Sequence, residues 1–306
     1  MDFLKLGIIG HPLTHSLSPL LHANLLQLLG LAGEYRKYDC PPADLDALLP
    51  TLAHQQVRGL NVTIPHKVAV MKAMDWLSPE AALAGAVNTI VFSRSEKNPD
   101  AKNPDLYTLK SYNTDITGFM RSLPAGVLHD LPQSDLLVLG AGGSARAVMT
   151  GLIQAKTASI TFAVRDPLKA ISITSDGEMV KQTYQSPTQL NLVSLDTLPC
   201  LSAFQGLINT TPVGMYPQEA QSPIPAHQLE ALPLQAWVYD LIYRPIETRL
   251  LSLAKAQGLI TANGLDMLIY QGICAFELWS EMNVPAHFTP ALRQTLENAL
   301  QLPSAP

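Results

Sequence analysis

Cysteine, charge and long apolar runs are all scarce in this chain, and each shortage excludes something. Cys40, Cys200 and Cys274 are the 3 cysteines among 306 residues. They are widely spaced, form no CxxC pattern and leave no even set for a disulfide framework. A reducing, cytoplasmic setting is therefore expected. Charged residues make up 15% of the chain against 47% hydrophobic ones, a balance that excludes disorder. No apolar run is long enough to span a bilayer. The opening MDFLKLGIIGHP is too short and too polar for a signal peptide. The net charge of −5 offers no basic face to nucleic acid. His11, His15 and His22 are close in sequence, but their spacing is not that of a metal site, so no metal is expected. No internal repeat is found. The segment from Ser93 to Asp105, SRSEKNPDAKNPD, is the nearest thing to low complexity and is expected to be an exposed hairpin tip.

What is present points to two α/β domains, as the length allows. KLGIIG, EYRKYDC, LNVTI and AVNTIVFS have strand character. Helical patterns separate them: SPLLHANLLQLLGL, ADLDALLPTLAHQQ and HKVAVMKAMDWL. Ser18 is expected to cap the first of these helices, with Pro19 at its first position. The order is βαβαβ, so a mostly parallel sheet is expected. The pattern restarts at DLLVLG, with further strands at SITFAVRD, GLINTTPVG and AWVYDLIY. TRLLSLAKAQG and GLDMLIYQGICAFELWSEM are helical, and the last helices are expected to return to the first domain. The break between domains is placed near Gly118.

The second strand set opens with the strongest motif. LLVLGAGGSA sets Gly140, Gly142 and Ala145 in a GxGxxA pattern between a strand and a helix. The glycines permit a tight turn, and the helix start near Ser144 presents N–H groups and a positive dipole end to a pyrophosphate. The same glycines would also suit plain strand–helix packing. Arg165 and Asp166 end the next strand. An arginine there favours a 2′-phosphate, a carboxylate favours a free ribose, and this chain has both. A solvated turn is the alternative for that pair.

GLNVTIPHK, Gly59 to Lys67, starts as a half-buried strand and meets Pro65, which has no N–H for the ladder. Lys67 follows at a strand end, where α/β folds bind ligands. It is either a proton-transfer group or a solvated surface lysine. Asp115 in YNTD is a candidate for the same chemistry or a helix-capping residue. Ser16 and Ser18 in HSLSP suit an anion at a helix start, or capping alone. Asn88 and Gln271 are polar-ligand candidates or satisfied core amides.

Taken in order, HPLTHSLSP, GLNVTIPHK, AGAVNTI, YNTD, LGAGGSARAV, INTTPVGM, YDLIYRPIET and NGLDMLIYQG resemble the shikimate dehydrogenase family along almost the whole chain. The resemblance implies an N-terminal, mostly parallel α/β substrate domain, residues 1–117, joined by C-terminal helices, 265–306. It implies a Rossmann-type NADP domain over 118–264. The reaction implied is reversible reduction of 3-dehydroshikimate to shikimate, in the route to chorismate and the aromatic amino acids, by a monomer or homodimer. Ser16 and Ser18 then match residues that bind the substrate carboxylate, with Thr63 and Tyr243 near that end. Asn61, Asn88 and Gln271 match residues that hold ring hydroxyls, and Lys67 and Asp115 the pair that manages the proton. Gly140, Ala141, Gly142, Gly143, Ser144 and Ala145 match the dinucleotide loop. Arg165, Asp166 and Lys169 match the region around the 2′-phosphate. Thr211, Met215 and Gly264 match further cofactor positions, the last two flanking the nicotinamide.

The chain departs from the family pattern at several positions. Val164, Arg165 and Asp166 stand for Asn-Arg-Thr, so Asp166 is expected to weaken the NADP preference that Arg165 and Lys169 support. Ile116 stands where glycine usually follows the aspartate, so that turn is expected to differ. Ala23 separates His22 from the asparagine that usually follows it. Two other readings follow: a quinate/shikimate dehydrogenase using NAD or both cofactors, and a non-catalytic nucleotide-binding regulator. Retention of both Lys67 and Asp115 argues against the second.

Overall fold

The computed structural model describes residues 3–14, 16–94 and 107–301. His15 and residues 95–106, most of the expected hairpin tip, lie outside the described residues. The chain folds as two compact units, Met1–Thr114 with Gln271–Ala299, and Asp115–Tyr270 with Leu300–Pro306.

The first unit runs β1 (Leu4–Gly10), α1 (Ser18–Leu28), β2 (Gly33–Asp39), α2 (Leu45–His54), β3 (Gly59–Val62), α3 (His66–Ala69), β4 (Trp76–Leu77), α4 (Pro79–Ala84), β5 (Thr89–Arg94) and β6 (Tyr107–Tyr112). Its six-stranded sheet has the order β2-β1-β3-β5-β6-β4. β1 is parallel to β2 and β3, and β4 to β6, while β5 is antiparallel to both its neighbours. The sheet is therefore mostly parallel with an antiparallel insert, because β5 and β6 are joined as a hairpin. Ile9, Leu49, Leu52, Leu60, Val62, Ile90 and Phe92 form part of its core.

Two local expectations are corrected here, and the stop at Pro65 is kept. Ser18 is the first residue of α1, and Leu17 occupies the cap position. The capping oxygen comes from Ser16, whose Oγ accepts from the Ser18 N–H at 3.3 Å. The helix expected from His66 to Leu77 is a single turn followed by a 3₁₀ turn, Val70–Ala73. After it, the Asp75 N–H donates to the Leu109 carbonyl at 3.1 Å, and Trp76 and Leu77 pair with β6. An open sheet edge thus overrides helical spacing. Regular β3 ends at Val62, but its pairing with β1 continues: the Thr63 N–H donates to Ile9 and the His11 N–H to Ile64, each at 2.9 Å. The pairing stops one residue before Pro65.

The chain enters the second unit along α5 (Thr114–Ser122). It continues through α6 (Val127–Asp130), β7 (Asp135–Leu139), α7 (Gly143–Gln154), β8 (Ser159–Val164), α8 (Pro167–Ala170), α9 (Ser172–Tyr184), β9 (Gln189–Ser194), β10 (Gly206–Asn209), α10 (Ala226–Leu229), β11 (Trp237–Asp240), α11 (Arg249–Ala256) and β12 (Ile260–Asn263). Then come α12 (Leu265–Ser280), which runs into the first unit, and α13 (Thr289–Gln301). The second sheet is wholly parallel, in the order β12-β11-β10-β7-β8-β9. Its inner strands are apolar runs buried on both faces, as such sheets require. The edge strands β9 and β12 carry no such run, and sequence reading did not find them. The strand order reverses between β7 and β10, the switch point where such sheets bind ligands.

Residues 271–299 are tied to the first unit by specific contacts. The Trp279 indole N–H donates to the Ile90 carbonyl at 2.9 Å. Its ring lies so close to β3 that a Cβ on Gly59 would come within 2.1 Å of it. Among the described residues no helix is long and apolar enough to cross a membrane.

Candidate active site

The register of the first sheet assembles the polar candidates. Asn61 on β3 lies opposite Thr89 on β5, and Thr89 opposite Tyr112 on β6. Because β5 runs antiparallel, its start meets the ends of β3 and β6. Asn88 precedes that start, Thr63 and Lys67 follow β3, and Asn113, Thr114 and Asp115 follow β6.

Asn88 locks this corner. Its Oδ1 accepts from the Thr114 N–H at 2.7 Å and from the Thr89 hydroxyl at 3.1 Å. Its Nδ2 donates to Thr114 Oγ1 at 2.9 Å and to Gln271 Oε1 at 3.3 Å. The first N–H groups of a helix have no intrahelical partner, so Asn88 satisfies one at the start of α5. Asp115, in the first turn of α5, is only 5% exposed. It is not the helix cap. Ile116 is helical and buried, facing α7 near Gly151, so its replacement of glycine is absorbed by packing. The far end of α5 is fixed as well: the Ser122 and Tyr239 hydroxyls are 2.7 Å apart and both buried.

Asn61 is held from the opposite side. Its Oδ1 accepts from the Tyr35 hydroxyl at 2.7 Å and from His22 Nε2 at 3.1 Å. His22 is fully buried and stacks on Tyr35, with ring centroids 4.4 Å apart and planes 11° from parallel. Burial lowers the His22 pKa to about 3, so the ring is neutral and its one N–H is the donor to Asn61. His22 thus finds its partner on β3, from helix α1. Asn61 Nδ2 has only long contacts, 3.4 Å to the Asn88 carbonyl and 3.5 Å to Thr89 Oγ1.

Lys67 lies half-buried in the single turn of α3. That turn is held at both flanks. His66 Nε2 donates to the Cys40 carbonyl at 2.6 Å, and the Lys67 carbonyl accepts from the Val87 N–H at 2.7 Å.

In the second unit Gly140, Ala141 and Gly142 make the turn between β7 and α7, and Gly143, Ser144 and Ala145 open the helix. Gly140 has φ +99°, a conformation costly for other residues, and a Cβ there would lie 2.8 Å from Thr210 Oγ1 and 3.1 Å from Thr211 Cγ2. A Cβ on Gly142 would meet nothing within 4 Å. The cap position of α7 is Gly142, which has no side chain to bond the helix start. An open glycine turn leading into the start of a helix fits a dinucleotide pyrophosphate.

One strand over, Arg165 is exposed after β8. Asp166 does not stand free beside it. Its Oδ1 accepts from the Leu168 and Lys169 N–H groups at 3.1 and 3.4 Å, capping α8, and its Oδ2 lies 3.3 Å from Lys169 Nζ. Lys169, expected to add positive charge for a phosphate, is thus paired with Asp166. On the other side of the glycine turn, Thr211 and Met215 follow β10, Tyr243 follows β11 and Gly264 follows β12. Tyr35, Thr89, Thr114, Asn209, Asp240 and Thr248 were not singled out in sequence, and His22 was weighed only as a metal ligand and beside Ala23. Local chain order links none of them to a ligand; the nearest signal is Tyr35, an aromatic residue flanked by Glu34 and Arg36 within β2.

Comparison with known proteins agrees with this architecture. Residues 8–90 match the shikimate dehydrogenase substrate binding domain, and residues 264–297 match the shikimate 5'-dehydrogenase C-terminal domain. The chain is 39% identical over 279 residues to a shikimate dehydrogenase (NADP(+)) of Moorella thermoacetica, covering 91% of this chain and 88% of that one. It resembles the solved shikimate 5-dehydrogenase of Thermus thermophilus in complex with NADP(H) and shikimate, with TM-score 0.78, 34% identity, and coverage of 97% of this chain and 100% of that one. It also resembles quinate dehydrogenase from Corynebacterium glutamicum in complex with NAD, with TM-score 0.81, 29% identity, and coverage of 97% and 100%. With both family matches and a relative 39% identical over 91% of its length, the chain belongs to the shikimate dehydrogenase family.

Proposed function

We propose that this protein is an NADP-dependent shikimate dehydrogenase, catalysing the reversible reduction of 3-dehydroshikimate to shikimate in the cytoplasm. The observation that carries this reading is the polar corner built by Asn61, Asn88, Thr114 and Gln271, with Lys67 and Asp115 on the segments that leave it. Residues 1–117 with 265–306 serve as the substrate domain and 118–264 as the cofactor domain.

NADP, when bound, supplies the hydride acceptor or donor for the ring carbon. The chain's own residues do the rest. Asn61 offers an amide proton to a ring hydroxyl, because its oxygen is already taken by Tyr35 and His22. Asn88 and Gln271 complete the hydroxyl contacts, and Ser16, Ser18, Thr63 and Tyr243 take the carboxylate. Lys67 and Asp115 hold and move the proton at the oxygen of the reacting carbon. A polyhydroxylated ring needs this many partners, since each unmatched hydroxyl weakens binding. Holding the ring rigidly converts binding energy into near-attack geometry.

The test is absorbance at the nicotinamide band with shikimate, run with NADP and NAD side by side. Growth of reduced NADP at the higher kcat/KM is the expected result. No reduction of either cofactor would leave a non-catalytic nucleotide-binding paralogue. One observation keeps a second reading in view. Asp166 is the residue type that binds an NAD ribose, so higher kcat/KM with NAD, or with quinate, would assign a quinate/shikimate dehydrogenase.

A further inference from the structure

The loops on the β10–β12 side of the second sheet converge on one buried carboxylate. Asp240 is the last residue of β11 and has no solvent exposure. Its Oδ1 accepts from Asn209 Nδ2 at 2.9 Å and from the Ile242 N–H at 3.1 Å. Its Oδ2 accepts from the Thr248 hydroxyl at 2.7 Å.

The donors come from the end of β10 and from both ends of the segment between β11 and α11. Asn209 ends β10, and its own Oδ1 accepts from the Thr211 N–H at 3.0 Å and the Thr211 hydroxyl at 2.7 Å. That pair shapes the turn leading to Met215. Ile242 opens the segment bearing Tyr243, and its carbonyl accepts from the Gly264 N–H at 3.1 Å. Gly264 sits so close to this segment that a Cβ there would fall 1.9 Å from the Leu241 carbonyl oxygen. Thr248 closes the segment by capping α11 through the Leu251 N–H at 3.3 Å. Thr211, Tyr243 and Gly264 are thus each connected through one neighbour to the same side chain, and Met215 lies further along the turn that Thr211 begins.

Packing alone does not call for this arrangement. A buried carboxylate costs stability even when hydrogen-bonded, and apolar groups of similar volume often replace such groups without loss. What a carboxylate does supply is two oxygens that accept from several directions at once, as the end of β10 and the two ends of the β11–α11 segment need here.

We propose that Asp240 is a positioning residue: through Asn209, Ile242 and Thr248 it fixes the loops that receive the nicotinamide end of the dinucleotide, and leaves the adenine end at Arg165 untouched. The inference rests on the NADP reading above. It separates the cofactor site into two independently supported halves. The glycine turn and Arg165 hold one, and the Asp240 hub holds the other.

The test compares wild type, Asp240→Ala and Asp240→Asn in the full chain. Calorimetry gives the affinities for NADP and for adenosine 2′,5′-bisphosphate, which carries the adenine end alone, and kcat is measured with shikimate. In Asp240→Ala, kcat and NADP affinity should each fall about tenfold or more, with the bisphosphate affinity within roughly twofold of wild type. Asp240→Asn should restore most of the loss. Its oxygen can still accept from Asn209 and Ile242, and its amide can donate to Thr248. Should Asp240→Ala fail to fold, Asn209→Ala cuts the Thr211 branch alone and carries the same expectation. A folded alanine variant with kcat and NADP affinity within roughly twofold of wild type overturns the proposal. So does a loss of bisphosphate affinity as large as that for NADP. A wild type that binds neither probe removes the cofactor reading itself, a separate failure visible before any variant is made.

Discussion

The Tyr35 hydroxyl donates to Asn61 Oδ1 at 2.7 Å, on the same oxygen that His22 Nε2 reaches at 3.1 Å. Two donors on one oxygen fix which end of the Asn61 amide faces the core. A flipped amide would set its NH2 against both. Tyr35→Phe removes one donor and weakens that choice. A net hydrogen bond contributes about 0.5–1.5 kcal/mol, so KM for shikimate should rise roughly two- to tenfold with a smaller change in kcat. The same substitution in an Asn61→Ala background should change KM hardly at all. Equal effects in both backgrounds would show that Tyr35 acts through packing and not through Asn61.

Lys67 sits in a turn pinned by His66 to Cys40 and by Val87 to its own carbonyl. That support makes it a positioned group. Lys67→Ala should lower kcat by roughly a hundredfold or more, with little change in substrate affinity. Near-normal kcat in this variant would make Lys67 an ordinary surface charge.

Cofactor choice turns on Asp166. Its carboxylate is occupied by the α8 cap and by Lys169, which supports a preference for NADP through Arg165. Asp166→Thr keeps a capping oxygen and releases Lys169, so the ratio of kcat/KM for NADP over NAD should rise. Arg165→Ala should nearly abolish the ratio, because the planar fork of donors for a 2′-phosphate is lost. A wild type that favours NAD would mean that Asp166 leaves its cap to bind the ribose.

Two buried groups give opposite pH dependence. Burial raises the Asp240 pKa from 3.8 to about 6, so the folded state holds this proton more tightly than the unfolded one. The stability it contributes is complete below pH 3.8 and is lost as pH rises through about 6. The loss is on the order of 3 kcal/mol. His22 is depressed from 6.5 to about 3, so its contribution is present above pH 6.5 and is lost as pH falls toward 3. Between these limits the two slopes oppose each other, and only differences between variants reveal either. Urea unfolding of wild type and Asp240→Asn at several pH values should show the variant gaining relative stability from pH 4 to 7. A pH-independent difference would mean that Asp240 titrates normally when folded.

Much of the fold was legible because its signals are local. The apolar runs of β7, β8 and β10 announce buried parallel strands, and GAGGSA after a strand announces the turn. Pro65 announces the end of pairing, since it lacks an N–H. The motif order supplied the candidate residues, from Ser16 to Gln271. Weakly patterned pieces stayed hidden: edge strands β9 and β12, and the short β4 that replaced the end of an expected helix. Their positions come from available pairing partners and not from their own periodicity.

The chain by itself determined which residue types stand at the strand ends, because each motif is written within a few consecutive positions. Tertiary structure decided what those residues are bonded to. Register placed Asn61 opposite Thr89, and the antiparallel β5 brought Asn88 to Thr114. Helix α1 and strand β2 set His22 and Tyr35 on Asn61, and the neighbouring strand β10 sets Asn209 on Asp240. Hydrogen bonds reach only about 3 Å, so partners such as Asn88 and Gln271, far apart in sequence, are selected only when strands and helices are packed in place.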